Sequence, residues 1–390
     1  MRPTIAINGR FLTQPTVGVQ RFAIEVVKAI DALIDDGEYR RLDGAIEIAA
    51  PPRARDFPLR HIPVRRCGFG GGYFWEQVEF PLHTRGSVRM NLCMLGPLAV
   101  RRQLVVVHDA TVRAQPSNFT APFRAAYNFL IPRLCRRAAC AVTVSEFSRR
   151  EIGKWFGVDV SRMPVCLEGG DHIAAGPADY SVLQRLGLTG RKFFLSVGTG
   201  NNKNVETVLA AFSRSGLRDT QVVLTGYRQP RVNGAYNEVL MEGVCHAGYV
   251  SDQELRALYE HALALLSPSL YEGFGLPPVE AMACGCPVII SDQPALVEVC
   301  GDAALRCGAY DVEELARLMR LVHNEPSLRH RLIGAGRARA ALFTWRATAR
   351  TLLDLALQIA EPAPAAMPAA QAQVGQVSQV GQVGQVGQGA

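Results

Sequence analysis

Lysine is almost missing from this sequence, which holds four lysines against 38 arginines in 390 residues. A lysine that does stand in a glycine-rich loop, as Lys203 does in VGTGNNKNVETVL, is therefore not a product of average composition. Long apolar runs are missing too. No uncharged apolar window approaches the roughly 18 residues that span a bilayer. The opening MRPTIAINGRF lacks the apolar core of a secretory signal. The expected location is cytoplasmic, either free or peripheral on the inner face of the cytoplasmic membrane. Of the ten cysteines only Cys284 and Cys286 stand close together, with no second pair or histidine spacing to complete a metal cage. Buried free thiols in a reducing compartment are expected, and no metal site. Dinucleotide chemistry would need GxGxxG between a first strand and helix with an acid some 20 residues on. GVQRF, GFGGGYF and GTGN at 198–201 all fall short of it.

What is present describes a globular chain. Hydrophobic residues make up 48% and charged residues 20%, an ordinary balance for a folded protein. At about 150 residues per domain the length holds two domains. Short apolar runs recur as TIAING (4–9), IEIAA (46–50), LVVVHD (104–109) and AVTVS (141–145), with helical periodicity from Phe123 to Arg137. A second series comprises FFLSVG (193–198), VVLTG (222–226), AGYV (247–250), LALLSPS (263–269) and PVIIS (287–291). Strands alternating with helices predict an α/β protein with parallel sheets covered on both faces. GGDHIAAGPADYS (169–181) reads as the linker between two Rossmann-like domains. FTWRATARTLLDLALQIA (343–360) reads as the last helix, on the spacing of Leu352, Leu355 and Ile359. From Glu361 the chain turns to Pro and Ala and then to VGQ-type triplets, a composition that buries no core and predicts disorder.

Charge is unevenly placed. Residues 1–170 hold 24 basic and 15 acidic residues, whereas residues 171–390 hold 18 and 20. The excess lies between Arg53 and Arg137 and suggests a face that meets anionic lipid headgroups or a phosphorylated acceptor. A solvated arginine surface is the alternative. The aromatic residues form no recognisable stacking module, so nucleic acid is not an expected partner.

The densest chemical signal is SPSLYEGFGLPPVEAMACGCPVIISD (267–292). An apolar strand ends at Ser267, a glycine loop follows, Pro277 and Pro278 open a helix and Gly285 closes it. A glycine loop running into a helix N-terminus aims free N–H groups and the helix dipole at an anion. Two carboxylates frame it, Glu272 at the start of the loop and Glu280 in the first turn of the helix. Carboxylates beside an anion pocket are unfavourable unless they accept hydrogen bonds from hydroxyls, so a ligand combining phosphate with polyol is indicated. A nucleotide sugar is such a ligand.

The stretch EGFGLPPVEAMACGCPVI resembles the E-x7-E signature of retaining glycosyltransferases of family 4, with Glu272 and Glu280 as the two glutamates. GYVSDQELRALY (248–259), ALVEVCGDAAL (295–305), VTVSEFSRREI (142–152) and VVHDA (106–110) are similar to the same family, over residues 1 to about 355. The resemblance implies a GT-B fold with an acceptor-binding domain at 1–170, a linker at 171–190 and a nucleotide-sugar-binding domain at 191–342. A crossing helix at 343–360 and a disordered tail at 361–390 would follow. It implies that Glu272 contacts sugar hydroxyls, Glu280 the ribose, and the Leu276 amide the diphosphate, with Phe274 and Gly275 in the same donor loop. Gly18 would let the backbone approach the diphosphate, Lys203 would bind phosphate and His108 would meet the transferred sugar. Core histidine, turn glycine, dipole-partner glutamate and surface lysine are the structural uses of the same residues. The family often supplies an arginine near Lys203; this chain has Thr199 and Asn202 there.

The reading that follows is a retaining, metal-independent hexosyltransferase with no cofactor. Its donor would be GDP-mannose first, then a UDP-hexose. The acceptor would be a lipid-linked or soluble glycan of exopolysaccharide or O-antigen synthesis. Among the fifteen aspartates no DxD occurs, which disfavours the metal-assisted transferases of the other common fold. A glucosyl- or deoxyhexosyltransferase of the same fold, or a non-catalytic nucleotide-sugar-binding protein, is the alternative.

Overall fold

The computed structural model describes residues 4–226 and 241–361. The first sheet comprises β1 (Ile5–Asn8), β2 (Ile46–Ala50), β3 (Val64–Arg66), β4 (Val88–Asn91), β5 (Gln103–Val106) and β6 (Cys140–Val142). The second comprises β7 (Lys192–Val197), β8 (Thr220–Thr225), β9 (Val244–Gly248), β10 (Leu265–Ser267), β11 (Val288–Ser291) and β12 (Leu305–Cys307). Their orders are β3-β2-β1-β4-β5-β6 and β12-β11-β10-β7-β8-β9, all parallel. Counted from the first strand of each, both are the doubly wound order 3-2-1-4-5-6. Its switch point between first and fourth strand opens a crevice at the strands' carboxyl ends. Helices cover both faces, which is why β1, β2, β4 and β5 are buried at every residue.

Seven helices position the site: α1 (Gly18–Asp35), α2 (Ala121–Arg137), α3 (Glu146–Phe156), α4 (His172–Ala175), α5 (Asp252–His261), α6 (Leu276–Ala283) and α7 (Trp345–Ala360). Helix α7 returns from the second sheet to pack on α1. It buries Ala349, Leu352, Leu353 and Ala356 completely, a stripe shifted from the expected one because Leu355 and Ile359 are only half-buried. Arg346 and Arg350 bond Glu38, and Asp354 accepts from the Tyr39 hydroxyl at 2.6 Å.

Three strands were not anticipated: β3, β4 and β12. Arginine hid β4. Arg89 is buried there and donates to Thr84 Oγ1 and to the carbonyls of Ser87 and Pro81. The segment read as a linker runs between the two sheets and is closely packed. A Cβ on Gly169 would stand 2.3 Å from the backbone nitrogen of Trp345, and one on Gly170 would stand 2.5 Å from Val279 Cγ1. The glycines thus mark close approach and not looseness. The arginine excess is partly consumed within the domain, since Arg65 pairs with Glu47, Arg66 with Asp56 and Arg60 with Asp35.

All ten cysteines are free, and burial pushes the thiols up, Cys140 to about 11 and Cys284 to about 12. Among the described residues no helix is long and apolar enough to cross a membrane. The expected disordered tail lies outside the described residues, Glu361 apart.

Candidate functional site

The switch points of the two sheets face each other across one cavity of about 540 Å³. The first domain supplies the start of α1, with Gly18, and the turn after β5, with His108 and Asp109. The second supplies the loop after β7, with Lys203, and the loop from Glu272 to Leu276 after β10. Gly18, His108, Lys203, Glu272, Phe274, Gly275, Leu276 and Glu280 therefore line a single space, although up to 262 positions separate them in sequence.

Gly273 is one place where the domains touch. Its carbonyl accepts from the hydroxyls of Ser145 (2.5 Å) and Ser148 (2.9 Å), which belong to the first domain. A Cβ there would stand 2.9 Å from the His108 carbonyl oxygen, so only glycine allows the approach. Gly275, at φ +103, turns the chain into α6, whose first residue is Leu276. Pro277 and Pro278 carry no N–H, so in the first turn of that helix the free donor at the cavity lining is the N–H of Leu276. Phe274 packs edge-on against Phe343 at 5.7 Å, so its ring belongs to the core.

Glu272 Oε1 pairs with Lys203 Nζ at 2.7 Å. The two residues expected at sugar and phosphate thus hold each other. Glu280 sits at the fifth residue of α6, one turn deeper than the sequence suggested, and is buried. Its Oε2 accepts from the Tyr259 hydroxyl at 3.0 Å, and its Oε1 lies 3.2 Å from His172 Nε2, within ion-pair reach though not aligned as a hydrogen bond. Burial alone would push this carboxyl up. His172, the Arg21 guanidinium and the Tyr259 hydroxyl outweigh burial and hold it below the usual range. The Tyr259 phenol is correspondingly driven well above its ordinary value, by burial first and by Glu280 second.

His108 lines the cavity. Its Nε2 lies 2.9 Å from the Leu92 carbonyl, which can only accept, and its Nδ1 lies 3.4 Å from Glu168 Oε1. Gly18 is the first residue of α1 and not a loop residue, with nothing within 4 Å of where a Cβ would stand. Backbone conformation does not demand glycine there; open space in front of it is what glycine provides.

Several cavity residues went unread in the sequence. Arg21 makes a two-pronged pair with Asp252 across the domains (2.7 and 2.6 Å), and both line the cavity with the buried Glu168. Arg21 lay in plain view three residues after Gly18, but its partner is 231 positions away. His172 lay hidden in the supposed linker. It accepts from the Trp345 indole N–H at Nδ1, 3.0 Å, and so ties α7 to Glu280. Among the described residues no group of three or more His, Cys, Asp or Glu is placed to hold a metal ion.

The pattern of the family described as Glycosyl transferases group 1 matches residues 183–339. The chain is 34% identical over 224 residues to the O-antigen chain mannosyltransferase B of Escherichia coli, an alignment covering 53% of this chain and 58% of that protein. It is 29% identical over 212 residues to the O-antigen chain mannosyltransferase RfbU of Salmonella typhimurium, covering 53% and 56%. The chain thus spans little more than half the length of these curated relatives. Sucrose-phosphate synthase from Thermosynechococcus elongatus superposes with a TM-score of 0.70 over 92% of this chain and 99% of that one, at 19% identity, which is a likeness of fold.

Proposed function

We propose that the chain, whose residues 183–339 match the family described as Glycosyl transferases group 1 and whose two sheets form the GT-B fold, is a retaining, metal-independent hexosyltransferase. It moves mannose from GDP-mannose to a glycan acceptor carried on a lipid diphosphate, in O-antigen or exopolysaccharide assembly. The observation that carries the reading is the cavity between the switch points, where Lys203 and Glu272 stand beside the N-terminus of α6. A phosphate answers the first and the third, and a polyol answers the second. No cofactor is called for.

In this reading the diphosphate takes Lys203 and the α6 N-terminus, the sugar hydroxyls take Glu272, and the ribose takes Glu280. The acceptor hydroxyl enters on the face from which the diphosphate leaves, and the leaving oxygen takes the acceptor proton. Catalysis then rests on positioning and on stabilising charge as it builds on the leaving group. Lys203 and the helix dipole supply the positive charge that a metal supplies elsewhere. Mannose as the donor sugar follows the two O-antigen mannosyltransferase relatives.

The test is a donor panel with purified protein in EDTA: GDP-mannose, UDP-glucose, other hexose donors and a deoxyhexose donor, with the anomeric configuration of the product read by NMR. Retention with GDP-mannose in EDTA is expected. Inversion, or activity restored only by Mg²⁺ or Mn²⁺, overturns the mechanism. Binding of nucleotide sugars without turnover on any acceptor makes the chain a binding protein.

A further inference from the structure

An apolar ridge stands on the first domain, and none of its residues lines the donor cavity. Phe69 is 88% exposed, Phe74 52% and Leu82 51%, with Tyr73 and Val78 among them also exposed. Phe74, Val78 and Leu82 follow at intervals of four in the helical stretch 72–83, so they share a face. The tip is built and not frayed. Buried Glu79 accepts the N–H groups of Phe69 at 3.1 Å and Gly70 at 2.9 Å, and a Cβ on Gly68 would stand 2.5 Å from its Oε2. A carboxylate engaged with backbone donors thus holds a phenylalanine out in water, where an uncovered apolar patch marks a surface that meets something.

Charge is absent from the ridge. Its ionic side chains, Glu76 and Glu79, are buried. Arg65, which reaches the His83 carbonyl at the end of the helical stretch, is paired with Glu47. An uncharged occupant is indicated, and one such segment starts alongside. Arg102 donates from Nη2 to the Ala360 carbonyl at 2.7 Å and from Nη1 to the Gly86 carbonyl at 3.1 Å. One guanidinium therefore joins the last turn of α7 to the turn just after Leu82. The sequence continues from there through 362–390 without a charged side chain, and Val374, Val377, Val380, Val383 and Val386 recur in it at a period of three. A chain with three residues per turn carries all five on one side, at intervals of about 9 Å. The stretch 362–373 reaches about 37 Å at roughly 3.1 Å per residue, whereas Tyr73 to Leu82 spans only about 14 Å of helix.

We infer that residues 374–388 of this same chain dock on the ridge, valines against Phe69, Phe74, Val78 and Leu82, glutamines outward. Segment and ridge are both uncharged, so no ion is stripped of water when they meet. A segment of this composition buries no core of its own and orders only against such a surface. The tether sustains a weak contact: at an effective concentration of roughly 1 mM, an intrinsic Kd of about 0.1 mM leaves the segment docked about nine-tenths of the time. The inference is independent of the glycosyltransferase reading.

Photocrosslinking in the full chain tests it. With p-benzoylphenylalanine in place of Val380, irradiation should give an adduct within one chain to residues 69–82, and Phe74→Asp with Val78→Asp should abolish it. If that pair lowers the melting temperature, Phe69→Ser at the exposed tip reads the same loss. A synthetic peptide of residues 373–388 should bind the full-length Val377→Asp, Val380→Asp, Val383→Asp variant with a Kd of about 0.1 mM, and wild type about tenfold more weakly, because the tethered copy competes. Adducts between two chains give the ridge to a second copy and overturn the docking. Adducts elsewhere, no adduct, or equal peptide affinity in both proteins overturn it as well. So does binding of phosphatidylcholine vesicles that Phe74→Asp with Val78→Asp abolishes and the triple valine variant leaves unchanged, which assigns the ridge to a lipid surface.

Discussion

Glu272 and Glu280 line one cavity but have unlike surroundings, and under the proposed function their variants should part accordingly. Glu280 is buried between Tyr259 and His172. Its replacement in Glu280→Gln should weaken nucleoside diphosphate binding by about 1.5 to 3 kcal/mol, the worth of a charge-assisted hydrogen bond. Glu272 competes for Lys203 at 2.7 Å, so Glu272→Gln should bind the diphosphate as tightly as wild type or more tightly, yet transfer sugar slowly. Calorimetry beside a transfer assay separates the two, and an equal loss of affinity in both contradicts the assignment. That the glutamates and Lys203 line one cavity was legible because glycine loop, proline helix start and carboxylate spacing are local signals. Their partners were not. Asp252 reaches Arg21, and Glu168 reaches His108, only through the fold.

At the scale of elements, strands that are mainly apolar and bordered by turns were legible, whereas β4 was obscured by Arg89 and the packing of the linker by its glycines. Gly170→Ala should therefore destabilise the protein by about 1 to 3 kcal/mol, as overpacking does; a linker glycine would tolerate it, and chemical denaturation tells the two apart. Helix α7 offers two further tests. Trp345→Phe replaces the buried indole by a smaller ring and removes the N–H that donates to His172 Nδ1. A lowered melting temperature and a raised KM for the donor are expected, and an unchanged KM in the folded variant would make the Trp345–His172 contact purely structural. The Arg350 hydrogen bond, with Arg346 behind it, lowers the Glu38 carboxyl to about 2. A depressed carboxylate stabilises the folded state fully above its unfolded pKa and loses that contribution as pH falls. The difference in melting temperature between wild type and Glu38→Gln should be constant from neutral pH down to about 4.5 and shrink from there toward about 2. Exposed to solvent, it should be small and reduced by salt.

Across the whole molecule, polar contacts hold the two domains face to face. Ser145 and Ser148 bond Gly273, Arg21 pairs with Asp252, and Glu298 accepts the N–H groups of Glu146 and Phe147 at 2.8 Å each. A Ser148→Ala, Glu298→Gln double variant should show a larger radius of gyration by solution scattering in the absence of ligand; an unchanged radius would mean that other contacts set the closure. The basic excess of the first domain should draw it to anionic vesicles by roughly 1 kcal/mol per basic residue near the surface, fading within a Debye length of about 8 Å. Co-sedimentation should fall steeply as salt rises, and indifference to anionic vesicles at low salt would favour a soluble acceptor. The donor cleft should respond to salt quite differently. Lys203 does not wait there as a bare cation, since Glu272 already serves as its counter-ion. Diphosphate binding is then an ion exchange in which one anion replaces another on the same ammonium group and few dissolved ions are taken up or released. Its affinity should be almost flat against the logarithm of salt concentration. A nucleoside without phosphate, or a free hexose, has nothing with which to displace the resident anion, and so finds Glu272 already engaged.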